Sequence, residues 1–358
     1  MHTVTFQSRT RGVLLGTAVG DALGLPAEGL SRRRRACLFP GPWRHRLVFG
    51  HGMLSDDTEQ TLFVAQALLA HPDSPGRFAR RLAWSLRGWL LGLPAGIGFG
   101  TLRAILKLWL GFPPARSGVR SAGNGPTMRV APIGARFWND PEKLTACVAA
   151  STRVTHSDPR AQVGALAVAR LVAWCFQTQA TQRPQADELL QLLRGCGAED
   201  PEWQEIIDRL ATAIGDDLSV HDYADRLGFQ KGISGYTYST VPVAVYAWYR
   251  HCGAFEATLT AVLDCGGDTD TVGAITGALA GAMVGEEGIP REWIAGISDW
   301  PRGTGLLYAL SDRLSGASRA QRPGQVVRYF WPALLVRNPL FLAIVLVHGF
   351  RRLLPPYR

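Results

Sequence analysis

Two short stretches concentrate oxygen-bearing side chains. One is Ser55-Asp56-Asp57-Thr58-Glu59-Gln60; the other is Asp268-Thr269-Asp270-Thr271, directly after Cys265-Gly266-Gly267. Each sets a hydroxyl and two carboxylates at the expected start of a helix. Taken singly, the first is explained by helix capping, with Asp56 and Glu59 as a capping-box-like pair near the positive pole of the helix dipole. Taken together, four carboxylates converging in a helical bundle repel one another unless cations neutralise them. A ligand set made only of oxygens suits hard divalent ions such as Mg2+ or Mn2+. No histidine pair at HxxxH spacing and no cysteine pair offers a zinc site. The spacing leaves two readings, a divalent-metal site or two capped helix starts.

Three further segments carry candidate chemistry. Glu28 ends Gly20-Asp21-Ala22-Leu23-Gly24-Leu25-Pro26-Ala27-Glu28, where a surface carboxylate near a helix end is the plain alternative. Gly123-Asn124-Gly125-Pro126-Thr127-Met128-Arg129 offers backbone N–H groups and a nearby cation, the makings of an anion cradle, or simply a glycine loop. His156, in Thr155-His156-Ser157-Asp158-Pro159, precedes a helix, and a capping role would explain it equally well. Nucleophilic catalysis finds no support, since there is no G-x-S-x-G and no cysteine with a recognisable base.

Helices must hold these residues. Glycines recur every fourth position at Gly273, Gly277, Gly281 and Gly285, and again at Gly12, Gly16, Gly20 and Gly24. A glycine inside a helix costs about 1 kcal/mol relative to alanine, so a stripe of them needs a packing reason. The reason expected is two small-faced helices crossing backbone to backbone, with the acidic residues placed where they meet. A transmembrane GxxxG pair is the competing explanation. It fails on length, because Val272 to Gly285 is 14 residues, short of the roughly 20 a span requires. Asp140-Pro141, Asp158-Pro159, Asp200-Pro201 and Asn338-Pro339 each pair a capping residue with proline at the first helical position. Apolar-periodic runs at 58–70, 160–177, 240–252 and 255–264 support helices, and alternating strand patterns are scarce. The expected fold is all-α, a compact multi-helix bundle, with irregular loops at 36–54, 92–100 and 111–127.

The 358 residues are 47% hydrophobic and 19% charged, which fits a globular protein with a large core. The net charge is +9, but Arg32 to Arg35 form one run, and Arg351, Arg352 and Arg358 crowd the C-terminus. Basic residues interleaved with aromatics along a face are not evident, so general nucleic-acid binding is not expected. The six cysteines show no regular spacing and are expected to be buried, reduced thiols in a cytoplasmic protein. Arg9 and Arg11 before Val13-Leu14-Leu15 look faintly like a signal peptide, but Asp21 interrupts the apolar stretch and no export signal is assigned. From about Arg322 the character changes. Val326 to Val336 and Leu340 to Val347 are apolar, broken by Arg337 and Asn338, which argues against a spanning helix. A helix is expected from Asn338-Pro339 to about Leu354, ended by Pro355-Pro356. Leu342, Val345, Leu346 and Phe350 share one side, expected to pack on the body; a membrane-surface or partner-binding helix is the alternative.

In order along residues 11–290, five motifs resemble those of the ADP-ribosylglycohydrolases. They are Gly20-Asp21-Ala22-Leu23-Gly24 with Pro26 and Glu28; Ser55-Asp56-Asp57-Thr58; Gly123-Asn124-Gly125 with Met128-Arg129-Val130-Ala131-Pro132; Thr155-His156 with Pro159; and Gly266-Gly267-Asp268-Thr269-Asp270-Thr271. The resemblance implies an all-α fold with a binuclear Mg2+ or Mn2+ centre at the base of an ADP-ribose cleft. Asp56, Asp57, Asp268 and Asp270 would be metal ligands, with hydroxyls from Ser55, where the family more often has threonine, and Thr271. Glu28 would stand at the cleft entrance, and Glu28, Asp57 and Asp268 would be the catalytic carboxylates. Gly123, Asn124, Gly125 and Met128 would hold the ADP-ribose phosphates and ribose, with His156 alongside, and Gly235-Tyr236 resembles a further cleft segment.

The implied division is a catalytic domain over 1–322 and a helical extension over 323–358, in a monomer. The implied activity is hydrolysis that frees ADP-ribose from a modified protein, an arginine linkage foremost. Glycosidic cleavage at the ribose C1″ passes through an oxocarbenium-like state that nearby carboxylates stabilise, and two metals can fix ribose hydroxyls and activate water. The alternatives are a hydrolase of a small ADP-ribose- or nucleoside-like metabolite, or a non-catalytic ADP-ribose- or protein-binding module.

Overall fold

A computed structural model describes residues 4–179 and 182–353, with the backbone alone described for Arg352 and Leu353. The two glycine stripes lie on α1 (Phe6–Gly24) and on a second helix, Thr269–Val284, that runs antiparallel to it. A Cβ added at Gly12, Gly16, Gly20 or Gly24 would collide with the carbonyl of Gly281, Gly277, Gly273 or Thr269 respectively. The backbones therefore touch from Gly12 to Gly24. Every residue from Thr269 to Met283 is buried, so this is the central helix of the molecule and not an amphipathic surface one.

The other helices wrap this pair. In chain order they are α2 (Arg32–Leu38), α3 (Asp56–Ala70), α4 (Pro75–Leu91), α5 (Phe99–Trp109), α6 (Pro114–Ser117), α7 (Gly125–Met128), α8 (Ala131–Arg136), α9 (Pro141–Arg153) and α10 (Pro159–Gln177). Then follow α11 (Ala186–Arg194), α12 (Pro201–Gly215), α13 (Val220–Arg226), α14 (Thr237–Arg250), α15 (Phe255–Leu263), the central α16 (Thr269–Val284), α17 (Arg291–Ala295), α18 (Thr304–Ala320) and α19 (Leu334–Leu353). Among the described residues there are only isolated β-bridges, three of which join Leu30, Ile233, Gly123, Tyr236 and Gly267 around one cleft. Three of the four expected Asp/Asn-Pro starts form: Asp140, Asp158 and Asp200 accept backbone N–H groups of Lys143, Arg160 and Trp203 at 3.0, 3.1 and 3.1 Å. The loops are shorter than expected, since α2 reaches Leu38, α5 begins at Phe99, α6 sits inside 111–127 and α7 begins there.

The fourth start does not form. A short 3-10 turn, Trp331–Ala333, leads straight into α19, and Pro339 lies inside that helix. Asn338 caps nothing: its amide donates to the Gly92 carbonyl at 2.7 Å. Arg337 turns inward to Asp299 and the Leu54 carbonyl. These two anchors set the rotation of α19. Phe341 is buried in a small second core with Leu25, Leu47, Met53 and Ala95, and Leu342 and Val345 pack against it. Leu346 and Phe350, expected on the packed side, are 51% and 66% exposed. The expected helix stop at Pro355-Pro356 lies outside the described residues.

Candidate active site

The first acidic stretch is held from behind by a third carboxylate. Asp21, fully buried on α1, accepts the Ser55 N–H (3.0 Å), the Thr58 N–H (3.2 Å) and the Thr58 hydroxyl (2.5 Å). It thereby satisfies the free N–H groups at the α3 N-terminus, a role usually filled by a local cap. Burial pushes its carboxyl up to about 6, against the opposing pull of those hydrogen bonds. Asp299 adds a second support by accepting the Leu54 N–H at 3.0 Å. Ser55 is the local cap of α3, and its hydroxyl is 3.2 Å from Asp57 Oδ2.

The second stretch depends on the two glycines before it. Gly266 and Gly267 have φ of 71° and 86°, a region open to glycine, and a Cβ on Gly267 would strike the Ile233 backbone. This turn lets Gly267 pair with both Leu30 and Ile233 and aims Asp268, Asp270 and Thr271 at α3. The Thr271 hydroxyl donates to Asp57 Oδ2 at 3.3 Å, so Asp57 links the two stretches. Asn124 donates to Asp268 Oδ2 at 2.7 Å and so ties the glycine loop to the same place.

These elements enclose a cleft of about 560 Å³, within the range of small-molecule sites. Glu28, Asp56, Asp268, Asp270 and Thr271 line one part of it; Gly123, Asn124, Gly125, Met128 and His156 line another. Ser55 and Asp57 are buried and do not line it. Tyr236 contributes its backbone pairing with Gly123, but its phenol turns away and donates to Glu202 at 2.5 Å. His156 is 3% exposed, and its Nδ1 lies 2.8 Å from the Thr155 hydroxyl. Burial, reinforced by the Arg129 charge, pushes its imidazole down to about 3.

Burial raises Asp56, Asp57 and Asp270 well above the ordinary carboxylate range, and the neighbouring carboxylates raise them further. Asp57 Oδ1 is buried with no hydrogen-bond partner. An uncompensated anionic oxygen of this kind, in an all-oxygen donor set, fits a hard cation. Among the described residues no three His, Cys, Asp or Glu side chains form a ready-made cage, so a binuclear centre is not itself displayed.

Two sequence expectations change here. Arg129 is not the cation of an anion cradle: it is buried and donates to Gln60 Oε1 (2.6 Å), the Ser151 carbonyl (2.8 Å) and Thr155 Oγ1 (2.7 Å). It braces the loop from inside. Glu59 is not the partner of Asp56 in a capping box, because it forms a buried ion pair with Arg302 at 2.6 Å and accepts the Trp89 indole N–H at 2.6 Å. Sequence reasoning missed Asp21 and Asp299 as supports. A lone charge between Gly20 and Gly24 was the available signal for Asp21; nothing local marked Asp299.

Residues 2–324 match the family model described as ADP-ribosylglycohydrolase. The chain is similar to an ADP-ribosyl-[dinitrogen reductase] glycohydrolase of Rhodospirillum rubrum, at 29% identity over 80% of this chain and 89% of that one. It is similar to the ADP-ribosylarginine hydrolase Tri1 of Pseudomonas putida, at 28% identity over 80% of this chain and 73% of the relative. Among solved structures it resembles an ADP-ribosylglycohydrolase-related protein complex, with a TM-score of 0.65 and 28% identity over 87% of this chain and 99% of that one.

Proposed function

The chain belongs to the ADP-ribosylglycohydrolase family and is a glycosidic-bond hydrolase, and from that premise we propose that it frees ADP-ribose from modified arginine side chains of a protein. The observation that carries this reading is the meeting of both acidic stretches at one cleft, joined through Asp57. The arginine linkage draws on the name of the Pseudomonas relative and on the acidic cleft wall, which suits a cationic guanidinium. Residues 1–322 serve as the catalytic domain and 323–358 as an appended helical segment, in a cytoplasmic protein.

Two Mg2+ or Mn2+ ions, held by Asp56, Asp57, Asp268 and Asp270 with the Ser55 and Thr271 hydroxyls, would supply Lewis-acid polarisation and cancel the carboxylate repulsion. The glycine loop 123–125 and Met128 cradle the ADP-ribose, and Asn124 orients Asp268. Neutral His156 offers a hydrogen bond to the ligand and adds no charge. Glu28, at the cleft margin, stabilises positive charge developing at C1″ as the C1″–N bond breaks, takes a proton from the attacking water and returns it to the departing guanidine nitrogen.

The test is release of ADP-ribose from arginine-linked and serine-linked peptides by EDTA-stripped protein, with and without added Mg2+. Release from the arginine peptide that depends on Mg2+ is expected. Asp57→Asn or Asp270→Asn should slow it at least ~100-fold, the scale of a few kcal/mol of lost transition-state stabilisation. Mg2+ should raise the melting temperature of the parent protein and not that of either variant. Full activity in the stripped protein would sink the metal reading, and release from serine alone would move the linkage.

A further inference from the structure

Among the described residues, every exposed large apolar side chain except Phe49 and Trp300 lies in one of two stretches, 84–112 and 330–350. Neither region carries an acid. Residues 74–139 and 313–358 contain no Asp or Glu and together hold eighteen of the chain's 38 arginines and lysines. In α19 apolar residues lie on both sides, Phe341 in the core and a second set in solvent. Its polar residues Arg337 and Asn338 face the body at 7% and 3% exposure, while Leu335, Val336, Leu340, Leu346, Val347 and Phe350 face outward. A continuous apolar stripe left in solvent marks a binding surface.

The first stretch adds basic and aromatic side chains. Arg77, Arg80, Arg81, Trp84 and Leu91 follow helical spacing along the exposed face of α4. The Arg87 guanidinium lies 4.6 Å from the Trp84 ring centre, that of Arg103 5.6 Å from Phe99, and the Lys107 ammonium 5.1 Å from Phe112. This interleaving of cations and aromatics, not evident from the sequence, is produced by the fold. The two stretches adjoin, since Trp84 and Trp331 wall the same cavity of about 610 Å³ and Asn338 bonds Gly92.

We propose that this face docks on the surface of an anionic phospholipid bilayer, with the outer stripe of α19 in the interfacial plane and the arginines of α4 and α5 on the headgroups. A second copy of the chain would bring like charges together. A nucleic acid would find no hydrogen-bonding group along the α19 stripe of Leu335, Val336, Leu340, Leu346 and Val347, and a single ring, Phe350, at its end. Crossing the bilayer is also disfavoured. The segment Trp331–Arg351 is long and apolar enough, with mean hydropathy 1.8. Withdrawing it, however, would strand the buried Asp299 carboxylate that pairs with Arg337 and take one of two cations from buried Glu59, which keeps Arg302.

The full-length protein is spun with vesicles of phosphatidylcholine alone and of phosphatidylcholine with phosphatidylglycerol, a readout independent of catalysis. Sedimentation with the anionic vesicles only, weakening as salt is raised, is expected. Leu340→Glu with Val347→Glu should weaken it about tenfold or more, while melting temperature and ADP-ribose release stay unchanged. Arg80→Glu with Arg81→Glu should weaken it and flatten the salt dependence. The proposal is overturned by no sedimentation, by equal sedimentation with neutral vesicles, or by binding that the Leu340→Glu/Val347→Glu variant retains. Dimers abolished by that variant, nucleic-acid binding in place of vesicle binding, or membrane association resistant to carbonate would each overturn it as well.

Discussion

At the scale of single residues, the cleft is defined by groups whose charge state burial decides. Asp57 sits between two hydroxyls with one oxygen unsatisfied, and so expresses the site's demand for positive charge. His156 is the opposite case, a ring kept uncharged because burial and Arg129 both oppose its protonation. Its folded value, about 3, lies below the ordinary 6.5. Between those values the unfolded chain binds a proton that the folded chain refuses. The His156 contribution is therefore complete above about pH 6.5 and declines as the pH falls toward 3. The His156 ring resonances should accordingly show no titration between about pH 8 and 5 by NMR. A midpoint near 6.5 would show that the ring is solvated and free to charge.

At the scale of elements, the α1–α16 contact places both acidic stretches. Asp21 rides on α1 and holds the start of α3, while Asp268 and Asp270 sit at the start of α16, where Thr269 bonds the Gly24 carbonyl at 2.8 Å. A small change in the separation of the two helices moves the carboxylates relative to each other. Gly16→Leu or Gly277→Leu must push apart two touching backbones, and each should lower stability by several kcal/mol. Gly316→Leu on α18, where an added Cβ meets nothing within 4 Å, should change it by less than about 1 kcal/mol. Thermal or urea unfolding separates these outcomes, and equal melting temperatures for all three variants would refute the close packing.

At the scale of the whole molecule, the C-terminal helix is wired to the start of α3. Arg337 pairs with Asp299, Asp299 holds the Leu54 N–H, and Glu59 one turn into α3 faces both Arg302 and Arg337. Replacing Arg337 with alanine leaves two carboxylates buried with less compensation, a loss of about 3–5 kcal/mol. Urea unfolding of Arg337→Ala measures it. A variant as stable as the parent would mean that α19 is held without the Arg337 ion pairs.

The places of the two acidic stretches at helix starts were legible because they rest on local sequence. Two hydroxyl-carboxylate runs specify helix starts by local capping, and stripes of glycine at period four specify helices with one small face that needs a close partner. The side-chain surroundings were not legible, because they join residues far apart in the chain. Asp21 caps a helix beginning 35 positions later, Glu59 abandons its local cap for Arg302, and Arg129 turns inward to Ser151 and Thr155. The apolar period of α19 likewise specified a helix but not its rotation. Whether that stripe faces core or solvent was decided by two polar contacts, Arg337 to Asp299 and Asn338 to Gly92, because stranding a buried charge costs more than leaving a few leucines wet.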